Sequence, residues 1–175
     1  MAKSNSTSVN RQKDIVSAAI EVFAEMGYYR ATTAKVAERA NISQPYVFRF
    51  FSTKEDLLIE ALKVSFERIN EAFTRVIHSA PKPSLERELI DAYQSIMDEH
   101  RSEILLQMQA QTIMEHSVAE LMRESYAQIH DNVYRAFKAA GLEAPMEKTM
   151  LFLARGMLCN TAMAIQLPLL MKINE

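Results

Sequence analysis

The sequence predicts an all-α protein, and three observations carry that expectation. Breakers are scarce: 175 residues include only three glycines and five prolines, while the strong helix formers Ala, Leu, Met and Glu are abundant. Apolar residues recur at helical spacing in one segment after another, and no stretch sustains the alternation of a half-buried strand. The gaps between these segments hold the residues that start and stop helices. The chain is 49% hydrophobic and 24% charged, a globular composition.

The elements follow in order. Ile15, Ala19, Val22, Phe23 and Met26 share one face of a helix expected over 10–26, and Gly27 follows at the left-handed C-cap position. Thr33 is expected to cap a short helix over 34–40. Asn41, Ile42 and Ser43 make a brief turn. Ser43 then caps a second short helix over 44–51, with Pro45 in the first turn, where its missing N–H costs nothing. Thr53 and Asp56 are spaced for reciprocal capping of a long fourth helix over 54–79, striped by Leu58, Leu62, Phe66, Ile69, Phe73, Val76 and Ile77. Pro81 and Pro83 break the pattern. Four more helices are expected over 84–100, 102–114, 117–140 and 146–167, with Gly141 and Pro145 between the last two.

Composition also excludes several classes. Residues 1–12 are polar and lack the apolar core of a secretory leader. From Met150 to Met171 the only charge is Arg155, yet Arg155, Asn160, Gln166 and Pro168 interrupt the run too often for a membrane span. A helix apolar on most sides is better buried between two protein surfaces. Cys159 is the sole cysteine, so no intramolecular disulfide can form and a reducing, cytoplasmic compartment is expected. His78, His100, His116 and His130 show no metal-ligand spacing, and neither a phosphate loop nor a nucleophile elbow is present. An enzyme is not expected, nor a metal or cofactor. The net charge of -2 is divided: residues 1–54 hold eight Lys/Arg against four acids, and the remainder holds twelve against eighteen. A basic head on an acidic body suits a polyanion partner at one end.

Residues 33–51 read as helix, turn, helix, the arrangement in which a second helix enters the DNA major groove. Ordinary helical hairpins share that spacing, and spacing alone leaves both open. The detail goes further. Gly27-Tyr-Tyr-Arg-Ala-Thr-Thr-Ala-Lys-Val-Ala, followed by Ile42-Ser-Gln-Pro-Tyr-Val-Phe-Arg-Phe-Phe-Ser-Thr-Lys-Glu-Asp-Leu57, resembles the signature of the tetracycline-repressor (TetR) family of bacterial transcriptional regulators. The likeness covers roughly residues 10–60; the rest matches in helical layout and length.

The resemblance implies a three-helix DNA-binding domain over 1–53 and a ligand-binding and dimerisation domain over 54–175, entered through a connecting helix over 54–79. Thr33 and Lys54 would hold phosphates of double-stranded operator DNA. Gln44 and Tyr46 would read bases, and Arg49 a guanine edge or a phosphate. Val47, Phe48 and Phe51 are expected to pack inward. Phe48 and Phe50 stand where many relatives carry polar-tipped aromatics, and Ala34 where some place a base-reading side chain.

In the body, Met97, Met108, Met114 and Met122 are interleaved with Tyr93, Gln109, Thr112 and Tyr126. Plain core packing is one reading. The other is the family's effector cavity, since methionine suits adaptable apolar sites. A pocket for a small apolar effector is expected from Tyr93, Met97, Met108, Gln109, Thr112, Met122 and Tyr126. The resemblance further implies a homodimer joined by the last two helices, in which Leu151, Phe152, Leu153, Leu158, Ala162, Met163 and Ile165 leave more apolar surface than one protomer can bury.

Overall fold

The computed structural model describes residues 2–171, with side chains from residue 9 onward. The elements are α1 (Ala2–Met26), α2 (Thr33–Arg39), α3 (Gln44–Val47), α4 (Lys54–Ser79), α5 (Leu85–Glu99), α6 (Arg101–Ala110), α7 (His116–Ala140) and α8 (Pro145–Ala164). Short 3-10 turns cover Lys82–Ser84 and Pro168–Met171, and no strand occurs among the described residues. The all-α expectation holds.

The element ends depart from the sequence reading where a cap or a packing face decides. α1 begins at Ala2, earlier than expected. Once a buried stripe nucleates a helix, each further residue adds a hydrogen bond at little cost, even through Ser and Asn. Thr32, not Thr33, is the N-cap of α2: its backbone is extended (φ -129°, ψ 153°) and its Oγ1 accepts from the Lys35 N–H at 3.3 Å. Thr33 is already helical and turns its side chain inward. α3 is shorter than expected because its last turn tightens, with Arg49 and Phe50 N–H donating to the carbonyls of Tyr46 and Val47 three residues back. The capping box of α4 forms as the sequence predicts. The Asp56 N–H donates to Thr53 Oγ1 at 2.9 Å and the Thr53 N–H to Asp56 Oδ2 at 3.0 Å. Gly141 closes α7 in the left-handed conformation (φ 79°), which costs a residue without Cβ nothing.

α1 packs on α2, α4 and α6, and its buried Ile15, Ala19, Val22 and Phe23 join Val36, Val47, Leu57 and Leu58 in one apolar cluster. The cluster continues along α4 through Phe66, Ile69 and Phe73 to Leu89, Ile129, Phe137 and Phe152. α8 divides its apolar residues. Phe152 and Ala162 are buried within the protomer, whereas Met150, Leu151, Met157, Leu158 and Ile165 are exposed on the opposite face. No described helix is long and apolar enough to cross a membrane.

Candidate DNA-binding surface and effector cavity

Asn41, in the left-handed region at φ 53°, turns the chain between α2 and α3; asparagine tolerates that region better than most residues. Val47 and Phe51 anchor α3 in the core, as expected. Phe48 does not pack inward: it is 48% exposed, because Val47 and Phe51, four residues apart, define the buried face of so short a helix and Phe48 projects beside it. Gln44 and Arg49 are exposed, and Tyr46 is half-buried. These three form a supported row. The Gln44 amide donates to Thr33 Oγ1 at 2.9 Å. The Tyr46 ring meets Phe50 edge-on at 5.4 Å, and the Arg49 guanidinium lies 5.1 Å from the Tyr46 ring centre.

Thr33 is 8% exposed, and its hydroxyl oxygen accepts from Gln44 beneath the row while its O–H remains able to donate. Lys54 is also engaged. Its Nζ donates to the carbonyls of Tyr28 (2.9 Å) and Ala31 (3.2 Å) and lies 4.3 Å from the centre of the Tyr28 ring. An ammonium has three N–H donors, which leaves one. Arg39 fastens α2 to α1 by bridging Glu21 (2.7 Å) and Glu25 (2.7 Å), and both hydrogen bonds hold its guanidinium protonated.

Below α1, helices α4 to α8 enclose a cavity of about 80 Å³. Of the seven residues expected to form an effector pocket, Tyr93, Met97 and Tyr126 line this cavity, and Met108, Gln109, Thr112 and Met122 do not. Gln109 faces α1, donating to the Ala24 carbonyl at 2.7 Å, and Thr112 is exposed and donates to the Gln109 carbonyl. Met122 is buried in the core away from the cavity, and Met108 packs partly buried against that core. Helix phase explains the difference: α6 presents Gln107 to the cavity and turns Met108 and Gln109 elsewhere.

The walls that sequence reasoning missed come mostly from α4 and α8, with Ile90 and Gln94 of α5, Gln107 of α6, Ile129 of α7 and Met171 added. Phe66 and Phe73 lie on the stripe already read as core, and Phe152, Arg155, Gly156 and Asn160 come from the helix read as interface. One signal was available: Asn160 is polar in an apolar run. It is buried, and its Oδ1 accepts from the Tyr93 hydroxyl at 2.9 Å. Burial drives the Tyr93 hydroxyl well above its ordinary pKa, and burial likewise raises Tyr126. Gly156 faces the Tyr93 ring, where a Cβ would make ordinary van der Waals contact at 3.5 Å.

The segment between α6 and α7 touches both places. Gln111 donates to the Tyr126 hydroxyl at 3.0 Å. Glu115 accepts from Tyr29 at 3.2 Å, and the Ser117 hydroxyl donates to Glu55 in the first turn of α4.

Residues 15–61 match the family described as bacterial regulatory proteins, tetR family. The HTH-type transcriptional regulator HbdR of Aromatoleum sp. (strain CIB) is 25% identical over 146 residues, covering 81% of this chain and 63% of that protein. The chain spans less than two thirds of the length of the curated relatives it matches first. Among solved structures, the regulator FadR from Bacillus subtilis in complex with stearoyl-CoA aligns with TM-score 0.73 at 16% identity, covering 88% of this chain and 87% of that one. AibR in complex with isovaleryl coenzyme A and operator DNA aligns with TM-score 0.72 at 16% identity, covering 86% of each chain. The body shares the fold of these regulators, and the N-terminal match is in register with the helix-turn-helix. Residues 15–61 thus match the tetR family of bacterial regulatory proteins, and the chain as a whole shares the fold of the aligned regulators.

Proposed function

We propose that the protein is a ligand-responsive transcriptional regulator, a homodimer released from a palindromic operator by a small, mostly apolar effector. The observation that carries this reading is the pairing of an exposed, braced row on α3 with a cavity in the helices behind it. Residues 1–53 read DNA and 54–175 hold the effector and the second copy, in the cytoplasm. Gln44, Tyr46 and Arg49 face the major groove, Thr33 fixes the Gln44 side chain, and the remaining Lys54 donor meets a phosphate. The exposed stripe on α8 supports self-association, which sets two recognition helices against two half-sites. Two of the aligned structures hold an acyl-CoA, and one of those also holds operator DNA, which supports both an effector and this mode of action.

The test is selection of duplexes from a random pool by the full chain, followed by footprinting of the winners. A palindrome whose half-sites repeat at the DNA helical period supports the reading. The Gln44→Ala variant should then lose roughly 1–3 kcal/mol at particular base pairs and little elsewhere. Equal loss on specific and random DNA removes Gln44 from base reading, and failure to enrich any sequence overturns the proposal.

A further inference from the structure

Of the two half-buried arginines among the described residues, one is paired and the other is not. Arg68 holds the buried Glu103 carboxylate with its Nε, at 2.9 and 3.1 Å. Arg155 has no ion pair or hydrogen bond among the described residues, yet it lines the cavity. Among the described residues it is the only charged one that does so. The rest of the described wall is aromatic, aliphatic or neutral polar, and holds no carboxylate.

A guanidinium beside apolar walls has lost part of its hydration without gaining a partner, a state that costs free energy until an anion arrives. Its planar fork matches a carboxylate or phosphate with two parallel N–H···O bonds. The neutral polar groups nearest the apolar interior answer each other, Tyr93 with Asn160 and Gln107 with Ser65. They do not offer the wall a counter-charge. At about 80 Å³ the cavity is also smaller than the usual small-molecule site of roughly 300–1,000 Å³. A ligand occupying it must enter with a narrow apolar part and keep its bulk or its charged end toward the rim.

From this we infer that the effector is an amphipathic anion, with an apolar tail among Phe66, Phe73 and Phe152 and a carboxylate or phosphate on Arg155. The inference rests on the reading of this cavity as the effector site. It goes beyond that reading in naming the charge of the ligand and the residue that recognises it.

The test is calorimetric titration of the full chain with matched probes: octanoate and decanoate, the corresponding primary alcohols, and octanoyl-CoA beside free coenzyme A. The acid or the thioester should bind about ten- to a hundredfold more tightly than the alcohol of the same length, the range expected of a charge-assisted hydrogen bond. Preference for the free acid identifies a carboxylate on Arg155; preference for the thioester over both acid and coenzyme A identifies a phosphate. The Arg155→Gln variant should bind the alcohol as before and lose the preference for the anion, and Arg155→Lys should keep part of it. Acid and alcohol binding alike overturns the inference in the native chain, whatever the variants do. So does a preference that survives Arg155→Gln, or no binding of any anion up to millimolar concentration. Operator release is scored separately by gel shift. An anion that binds through Arg155 without releasing DNA upholds the ligand assignment and sinks the regulatory reading.

Discussion

Gln109 of α6 reaches into the end of α1, where its Nε2 donates to the Ala24 carbonyl at 2.7 Å while its Oε1 is buried without a hydrogen-bond partner. The Ala24 carbonyl belongs to the last turn of α1, where acceptors lack partners within the helix. One half of this amide therefore satisfies the helix end, and the other half carries an unmet cost. Replacing Gln109 with Leu removes both together. The Ala24 carbonyl loses its partner at a cost of about 1–3 kcal/mol while a buried orphan of about 1–3 kcal/mol disappears, so the two offset and net stability should change by no more than about 2 kcal/mol. If α6 carries the effector signal to α1, the variant should still bind operator and still bind ligand, but ligand should release it less. Urea unfolding and operator titration with and without ligand check the two halves; undiminished release places the signal elsewhere.

Lys54 makes a different kind of prediction because it serves the fold before any DNA arrives. Lys54→Met keeps the stem and removes the ammonium from the Tyr28 and Ala31 carbonyls and from the Tyr28 ring. The cost to folding should be roughly 1–3 kcal/mol, read as a lower urea midpoint at unchanged m-value. If the third donor also meets a phosphate, the salt dependence of operator binding should flatten by about one unit of slope. A stability loss with an unchanged slope would make Lys54 a purely structural clamp.

Tyr93 and Tyr126 are expected to contribute to the loss of stability at alkaline pH. Burial raises both hydroxyls above the value of about 10 that an unfolded chain shows. A group raised in the folded state gives stability that is complete below the unfolded value and is lost as pH climbs through the folded one. Unfolding free energy should hold level from these groups up to about pH 10 and fall above it. Tyr93→Phe should make that fall shallower by up to about 1.4 kcal/mol per pH unit, although it leaves Asn160 without its donor and lowers stability at neutral pH. An identical alkaline slope in the variant would refute the assignment.

The exposed stripe of α8 predicts where the second copy docks. Leu158→Glu or Ile165→Glu places charge on that stripe and should give monomers at micromolar concentration by sedimentation, with operator affinity falling in the same variants. Ala162→Glu is a different experiment: Ala162 is 1% exposed inside the protomer, and a charge there should unfold the chain rather than divide a dimer.

Periodicity and caps made most of the fold legible. Thr53 with Asp56, Gly27 and Gly141 announce helix ends through local chemistry that packing does not overrule. Thr32 and Thr33 show the limit, because two adjacent threonines are equal as cap formers and only the burial of one decides between them. The α3 row of Gln44, Tyr46 and Arg49 was legible because it lies on six contiguous residues. The cavity was not. Its walls come from four long helices and α6, and whether Met97 or Met122 faces inward depends on rotations that sequence alone leaves free. Phe48 was misjudged for a related reason: four helical residues bury a single narrow face, and being aromatic does not place a residue on it.

The capping box of α4 has a consequence for how this chain can change in length. Thr53 and Asp56 lock the first turn, so every later residue of α4 inherits its angular phase from that point. Leu57 and Leu58 are buried just beyond the cap, and Phe66 and Phe73 meet the cavity further along the same rod. One residue inserted between Leu62 and Phe66 would rotate everything beyond it by about 100° and advance it by about 1.5 Å. Phe66 and Phe73 would leave the cavity and polar neighbours would enter. α4 can therefore vary freely in the identity of its exposed residues while its length between these two regions is held fixed.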